Sequence, residues 1–316
     1  MQANTIKLGH GITQLDAEYI TPGVAAVYLL QQGEQIAIIE TGTALSVPAI
    51  MAELEQRGLN AGHVAYIMPT HVHLDHAGGA GELMQVCQNA KLVIHPYGAR
   101  HMIDPSKLAA GTIAVYGEEK FKQYYGELKP VAEDRIIEAA DNFELDFNGR
   151  LLKFLDTPGH ARHHFCIYDE SSHGIFTGDT FGLSYPQLKT AQGAFIFPTT
   201  TPVQFDPQAM KNSIDRLLSL QPQHIYLTHF GRITPTAEIV AQLKQGIDAF
   251  TAIALSEKEN ASQRTERIAE RMMDYLLQQL QKMNCEVAEN TCRDILQNDI
   301  TLNSQGLEYW LDNKDK

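Results

Sequence analysis

Apolar positions along the 316-residue chain fall into two periods, and the period changes with the segment. Val24 to Leu30 and Gln35 to Ile39 are short, nearly continuous apolar runs, and Gln31-Gln32-Gly33-Glu34 between them reads as a tight turn. This predicts a β-hairpin. Val47 to Arg57 carries the spacing of an amphipathic helix, stopped by Gly58. His63 to Met68 is apolar and β-prone and predicts a buried strand. Ala80, Leu83, Met84 and Cys87 fall on one face of a following helix. Leu92 to His95 predicts another strand.

Pro96 to Asp134 has little strand pattern but many aromatics, among them Tyr97, Tyr116, Phe121, Tyr124 and Tyr125. It is predicted to be a mostly helical insertion, with most of its aromatics in the core and some lining a substrate pocket. Short strands are predicted at Leu151 to Leu155, Phe165 to Tyr168, Gly174 to Thr177 and Ile225 to Leu227. Asp206-Pro207 has the chemistry of an N-cap followed by the first helical residue. Beyond Thr236 the pattern is helical. Ile239, Leu243, Ile247, Phe250 and Ala254 form one stripe, and Ile268, Met272, Leu276, Leu280 and Met283 form a second. Asn260 and Gln263 are candidate caps for the second. The stripes are read first as packing surfaces and second as a homodimer contact. The division expected is a catalytic domain at 1–235, with the insertion at about 96–134, and a helical region at 236–316.

Candidate ligands gather at the ends of the predicted strands. Thr70-His71-Val72-His73-Leu74-Asp75-His76-Ala77-Gly78-Gly79 lies between a strand and a helix, and four of its positions carry metal-binding side chains. His160, Asp179 and His229 follow other strands or the turns after them. Five imidazoles and two carboxylates exceed the needs of one tetrahedral zinc and suit two metals. His71, His73 and His160 can hold the first, and Asp75, His76 and His229 the second. Asp179 can bridge, since a carboxylate has two oxygens. Such a donor set suits zinc and also accepts iron or manganese. A shared water would be acidified from a pKa of about 16 toward about 7.

These stretches resemble the motifs of the metallo-β-lactamase superfamily: Thr70-His-x-His-x-Asp-His76-x-Gly-Gly, Thr157-Pro-Gly-His160, Thr177-Gly-Asp179-Thr and Thr228-His229. The resemblance spans roughly residues 15–235. It implies an α/β protein with an αββα sandwich, a dinuclear site on one edge and, here, a C-terminal helical appendage. It also implies that Asp75 orients the bridging hydroxide and shuttles a proton. Glu40 stands where the family commonly has Asp, at a supporting position. His163 and His164 compete with His160 as ligands, and the motif favours His160. His164 is read as a support that bonds a ligand or the substrate. Tyr185 is read first as a loop-packing tyrosine and second as a candidate oxyanion donor. The hydroxyacylglutathione hydrolase branch carries basic glutathione-binding residues in its tail, and none is evident between Thr236 and Lys316.

The expected activity is hydrolysis of a small ester, thioester or lactone, with a phosphodiester as the alternative. Di-iron redox relatives usually carry Glu where this chain has His73, and a non-catalytic signalling role is the third reading. Twenty-five basic against 38 acidic residues leave a net charge of −13, which argues against nucleic acid or an anionic membrane as partner. No apolar run has membrane-spanning length. Cys87, Cys166, Cys285 and Cys292 form no Cys-x-x-Cys pair and are read as reduced thiols, which with the absence of a signal-like start predicts a cytoplasmic protein.

Overall fold

The computed structural model describes residues 4–201, 203–259 and 261–314. The chain forms two compact units. The first comprises Met1–Asp156, His163–Gly178 and Gln223–Arg232, and the second Thr157–Arg162, Asp179–Pro222 and Ile233–Lys316.

One sheet holds β1 (Thr5–Gly9), β2 (Ile12–Asp16), β3 (Ala26–Gln32), β4 (Gln35–Ile39), β5 (Val64–Met68), β6 (Lys91–Ile94) and β7 (Ile136–Glu138) in sequence order. Its first four strands run antiparallel and β4 to β7 run parallel. Parallel neighbours need crossovers. The chain supplies α1 (Val47–Gln56) before β5, the four-residue α2 (Leu74–Ala77) and α3 (Ala80–Val86) before β6, and α4 (Pro96–Ile103), α5 (Ser106–Tyr116) and α6 (Glu118–Tyr125) before β7. The insertion is therefore a three-helix crossover. The other sheet is ordered β13-β12-β11-β10-β9-β8, from β8 (Glu144–Phe147), β9 (Arg150–Asp156), β10 (Phe165–Asp169), β11 (Gly174–Phe176), β12 (His224–Leu227) and β13 (Gly231–Ile233).

Strand side chains alternate between faces, so β3 and β4 feed two cores. Tyr28, Leu30, Ala37 and Ile39 join Phe147, Phe154, Phe165, Ile167, Phe176 and Tyr226 of the other sheet. Val27, Leu29, Ile36 and Ile38 face Ile50 and Leu54 of α1 and Leu83 and Met84 of α3. Burial on both faces explains why these strands read as continuous apolar runs. Two mixed sheets with flanking helices make an αββα sandwich. Tyr28 donates its hydroxyl to the Leu227 carbonyl, which ties β3 to the end of β12, immediately before Thr228 and His229.

The second unit holds α7 (Pro207–Leu218), α8 (Ala237–Ser256), α9 (Arg264–Lys282) and α10 (Glu289–Asn313), the last three forming the C-terminal appendage. Asp206 caps α7, accepting from the amides of Gln208 and Ala209. Of the two caps expected for α9, Gln263 occupies the N-cap in a left-handed conformation with no side-chain capping bond, and Asn260 lies outside the described residues. Among the described residues no helix is long and apolar enough to cross a membrane.

β1, β2, β7, β8, β13 and the short α2 lie outside the sequence expectation, and α10 falls in the tail read as helical but carries no regular apolar stripe. β1 is largely exposed, and β2 buries Thr13, Gln14 and Asp16 beside its apolar residues, so neither shows alternation. β8 has only Leu145 and Phe147 turned inward, and β13 is three residues long. α10 buries Asn303, Ser304 and Gly306 between Leu296, Ile300 and Leu307, which breaks its apolar stripe.

Candidate metal centre

The chain leaves β5 through Pro69 into Thr70, His71 and Val72, all fully buried. His73 then caps α2, which the sequence pattern had read as loop, and its carbonyl accepts from the amides of His76 and Ala77. The helical turn fixes Asp75 and His76 relative to His73. The Phe165 amide donates to the Thr70 carbonyl and anchors the loop to β10.

Glu40, just past β4, organises this loop. It is almost fully buried and adopts a left-handed backbone at φ +61°. Its carboxylate accepts from the Thr70 amide at 3.0 Å, the Thr70 hydroxyl at 2.6 Å and the Thr228 hydroxyl at 2.9 Å, and lies 3.0 Å from His76 Nδ1. An ionised carboxylate only accepts, so His76 carries its proton on Nδ1 and presents Nε2 on the other side. The same logic applies to His229, whose Nδ1 meets the Val24 carbonyl at 2.8 Å. His71 follows, because Thr70 Oγ1 gives its proton to Glu40 and is left to accept from His71 Nδ1 at 3.1 Å.

Three donors thereby converge. His229 Nε2 lies 3.3 Å from His76 Nε2 and 3.3 Å from Asp75 Oδ2, and His76 Nε2 lies 3.7 Å from that oxygen. A ligand atom from each lies within 4.8 Å of the others. Two imidazole lone pairs and a carboxylate at such range repel one another unless a positive charge sits among them. The donor set fits a divalent metal. Beside it, the rings of His71 and His73 lie 4.4 Å apart, and that of His71 lies 4.1 Å from His76.

His164 is fully buried, its ring 4.9 Å from that of His71. It packs behind the loop, beside His71. Gly178 explains the close packing here. At φ +48°, a Cβ would fall 2.4 Å from Thr70 Oγ1 and 2.5 Å from His164 Nε2, so only glycine fits. His163 stacks on His71 at 6.1 Å. Burial, and then the charges of His73, His101 and His95, push its pKa down to about 3, so it is neutral at physiological pH.

In the second unit, His160 Nε2 lies 3.3 Å from Asp179 Oδ2, and both side chains are buried. The turn before His160 is held by α7: the Asp206 amide donates to Gly159 O at 2.8 Å and the Ser213 hydroxyl to Pro158 O at 2.7 Å. At Gly159, φ is +131° and a Cβ would stand 2.3 Å from the Met210 amide nitrogen. Tyr185 is buried, donates its hydroxyl to Asp299 Oδ1 at 3.1 Å and packs on Phe197.

Of two tyrosines that feel the Asp75 charge, Tyr19 escaped the sequence reading. The hydroxyls of Tyr19 and Tyr125 lie 2.7 Å apart. Both pKa values are raised, by burial first and by the Asp75 charge second, so both phenols stay protonated. Tyr125 belongs to the aromatic insertion, whereas Tyr19 sits in a stretch with no periodicity, and nothing local marks it.

The metallo-beta-lactamase superfamily model matches residues 20–229. A metallo-beta-lactamase fold-containing protein of Sulfurisphaera tokodaii is 29% identical over 217 residues, covering 68% of this chain and 76% of its own. The hydroxyacylglutathione hydrolase of Pelagibacter ubique is 30% identical over 118 residues, only 37% of this chain and 36% of its own. Among solved structures, an archaeal metallo-beta-lactamase superfamily protein from Sulfolobus tokodaii superposes with a TM-score of 0.64 at 25% identity, over 95% of this chain and 98% of its own. The sandwich, the motif loop and the matched span agree, and the chain belongs to the metallo-beta-lactamase superfamily.

Proposed function

We propose that the protein is a dinuclear metal-dependent hydrolase of a small ester, thioester or lactone. The observation that carries this reading is the convergence of Asp75, His76 and His229, with both imidazoles oriented through Nδ1 so that Nε2 faces the carboxylate. In the proposal these three would hold one ion, His71, His73 and His160 would hold the other, and Asp179 would serve both. Zinc is the ion proposed. Bound there, the metals supply water that ionises near neutral pH and a Lewis acid for the carbonyl oxygen.

The remaining roles fall to side chains. Asp75 is 22% exposed while His76 is fully buried, so it is the carboxylate of its group that reaches outward. It orients the attacking water and carries a proton toward the leaving group. Glu40 holds His76 and, through Thr70, His71 in the tautomers that bind metal. The neutral phenols of Tyr19 and Tyr125 flank Asp75 without adding charge. The proposed substrate is a free small molecule, since a net charge of −13 disfavours polyanionic partners. The cytoplasm is the proposed location and a homodimer the proposed assembly.

The test is a panel of aryl esters, thioesters, lactones and a bis-aryl phosphodiester, run with protein whose metal content has been measured. Carboxyl-centred substrates should turn over fastest, lose activity on chelation and recover with zinc. Turnover confined to the phosphodiester would replace the reading with a phosphodiesterase. No turnover with both metals bound would support a non-catalytic role.

A further inference from the structure

The connection between α9 and α10 carries two of the four cysteines. Cys285 and Cys292 are free thiols with their Sγ atoms 3.8 Å apart. Cys285 is half-buried in the turn, and Cys292 is buried in the first turns of α10. A disulfide needs a separation of about 2.05 Å, so the sulfurs must approach by roughly 1.8 Å, within reach of side-chain rotation. A cleft of about 350 Å³, walled by Leu280, Gln281, Cys285, Val287, Cys292 and Arg293, opens beside the pair. The other two cysteines, Cys87 and Cys166, are buried in the first unit.

The same turn holds a second segment. Glu286 N donates to Lys189 O at 3.0 Å, Ala191 N to Asn284 O at 3.3 Å and Gln192 Nε2 to Lys282 O at 3.1 Å, and Cys285 itself pairs with Thr190 as an antiparallel bridge. Residues 189–192 belong to the irregular stretch that follows Asp179.

We infer that Cys285 and Cys292 form a reversible disulfide when the protein meets a peroxide, locking the α9–α10 turn onto the segment at 189–192. Cys285, the more accessible sulfur, attacks one peroxide oxygen as its thiolate. The S–O bond forms, the O–O bond breaks, and the departing hydroxide takes up the proton Cys285 released. Cys292 then attacks the Cys285 sulfur. The S–S bond forms, the S–O bond breaks, and the second hydroxide leaves with the Cys292 proton. Two thiols lose two electrons in all, and one hydrogen peroxide becomes two waters. Burial and the neighbouring Cys285 push the Cys292 thiol up to about 11, so Cys292 is not the sulfur that meets the peroxide first, and it gives up its proton to the departing hydroxide only as the S–S bond forms.

The experiment treats the full-length, metal-loaded protein with hydrogen peroxide, denatures and alkylates it, and maps the peptides by mass spectrometry. Two of the four thiols should become unavailable, in a single intramolecular Cys285–Cys292 link that dithiothreitol reverses, while Cys87 and Cys166 stay alkylatable. Cys285→Ser should leave Cys292 alkylatable. Cys292→Ser should leave a Cys285 sulfenic acid that dimedone traps. Limited trypsin cleavage after Lys189 and Lys282 should slow several-fold in the oxidised form. Sulfonic acids without a link, links between chains, or four free thiols would overturn the inference. A link that leaves trypsin cleavage unchanged would overturn the lock.

Discussion

Glu40 shows how one carboxylate fixes several others' chemistry. Removing it leaves the Thr70 amide and hydroxyl, the Thr228 hydroxyl and His76 Nδ1 without their buried acceptor. A buried donor so abandoned costs about 1–3 kcal/mol. We therefore expect Glu40→Ala to lose at least about 3 kcal/mol in urea unfolding, and to bind metal about 10–100-fold more weakly in a chelator competition. Glu40→Gln keeps an acceptor oxygen and should lose less stability. Equal losses in the two variants would show that the carboxylate's charge, and not its hydrogen-bond count, holds the loop. Asp75 is a contrasting case, since it is partly exposed and is the residue proposed to handle the proton. Asp75→Asn should keep the fold and lower turnover at least about a hundredfold. Near-normal kcat at full metal content would remove Asp75 from the proton path. The sequence places both residues by their motifs, but the geometry of Glu40 depends on a left-handed backbone and on Thr228, which is 188 residues away. Nothing local in the sequence encodes that.

At the scale of elements, legibility followed burial. β3, β4, β5 and α1 are clear in the sequence because each buries a continuous apolar surface. β2 was not, because Thr13, Gln14 and Asp16 take interior positions, and α10 was legible only as part of a helical tail, because polar residues such as Asn303, which accepts from the Thr200 amide at 2.6 Å, interrupt its stripe. The insertion reads as helical from its composition, yet α5 has no fully buried residue. Its aromatics instead meet α6, with Tyr116 packed 6.2 Å from Tyr124 and 5.9 Å from Tyr125. Tyr125 adjoins Tyr19, and both feel the Asp75 charge. This chain of rings links the insertion to the donor set, and in the proposed function the crossover helices choose substrates. Tyr116→Ala and Tyr124→Ala should change relative rates across the substrate panel while metal content stays unchanged. An unaltered substrate ranking in both variants would make these tyrosines packing residues.

At the scale of the molecule, the sandwich was legible through its motifs more than through its strands. Ligand-bearing segments must follow strand ends, so finding four of them fixes the layered fold even though β1, β2, β8 and β13 carry weak patterns. Metal stoichiometry is the whole-molecule consequence. Asp75, His76 and His229 lie in the first unit and could hold one ion. His71 and His73 lie there too, but two imidazoles alone are a poor site for zinc, which takes three or four protein ligands. Their proposed partners, His160 and Asp179, already sit 3.3 Å from each other in the second unit. If all four hold one ion, elemental analysis of saturated protein should give two metals per chain. His160→Ala should lower this toward one, whereas Asp179→Ala should weaken both sites. Stripping the metals should also lower the melting temperature, because an ion that binds only the folded chain stabilises it by mass action. A saturating value of one with all seven side chains intact would leave Asp75, His76 and His229 as a mononuclear site and overturn the dinuclear reading.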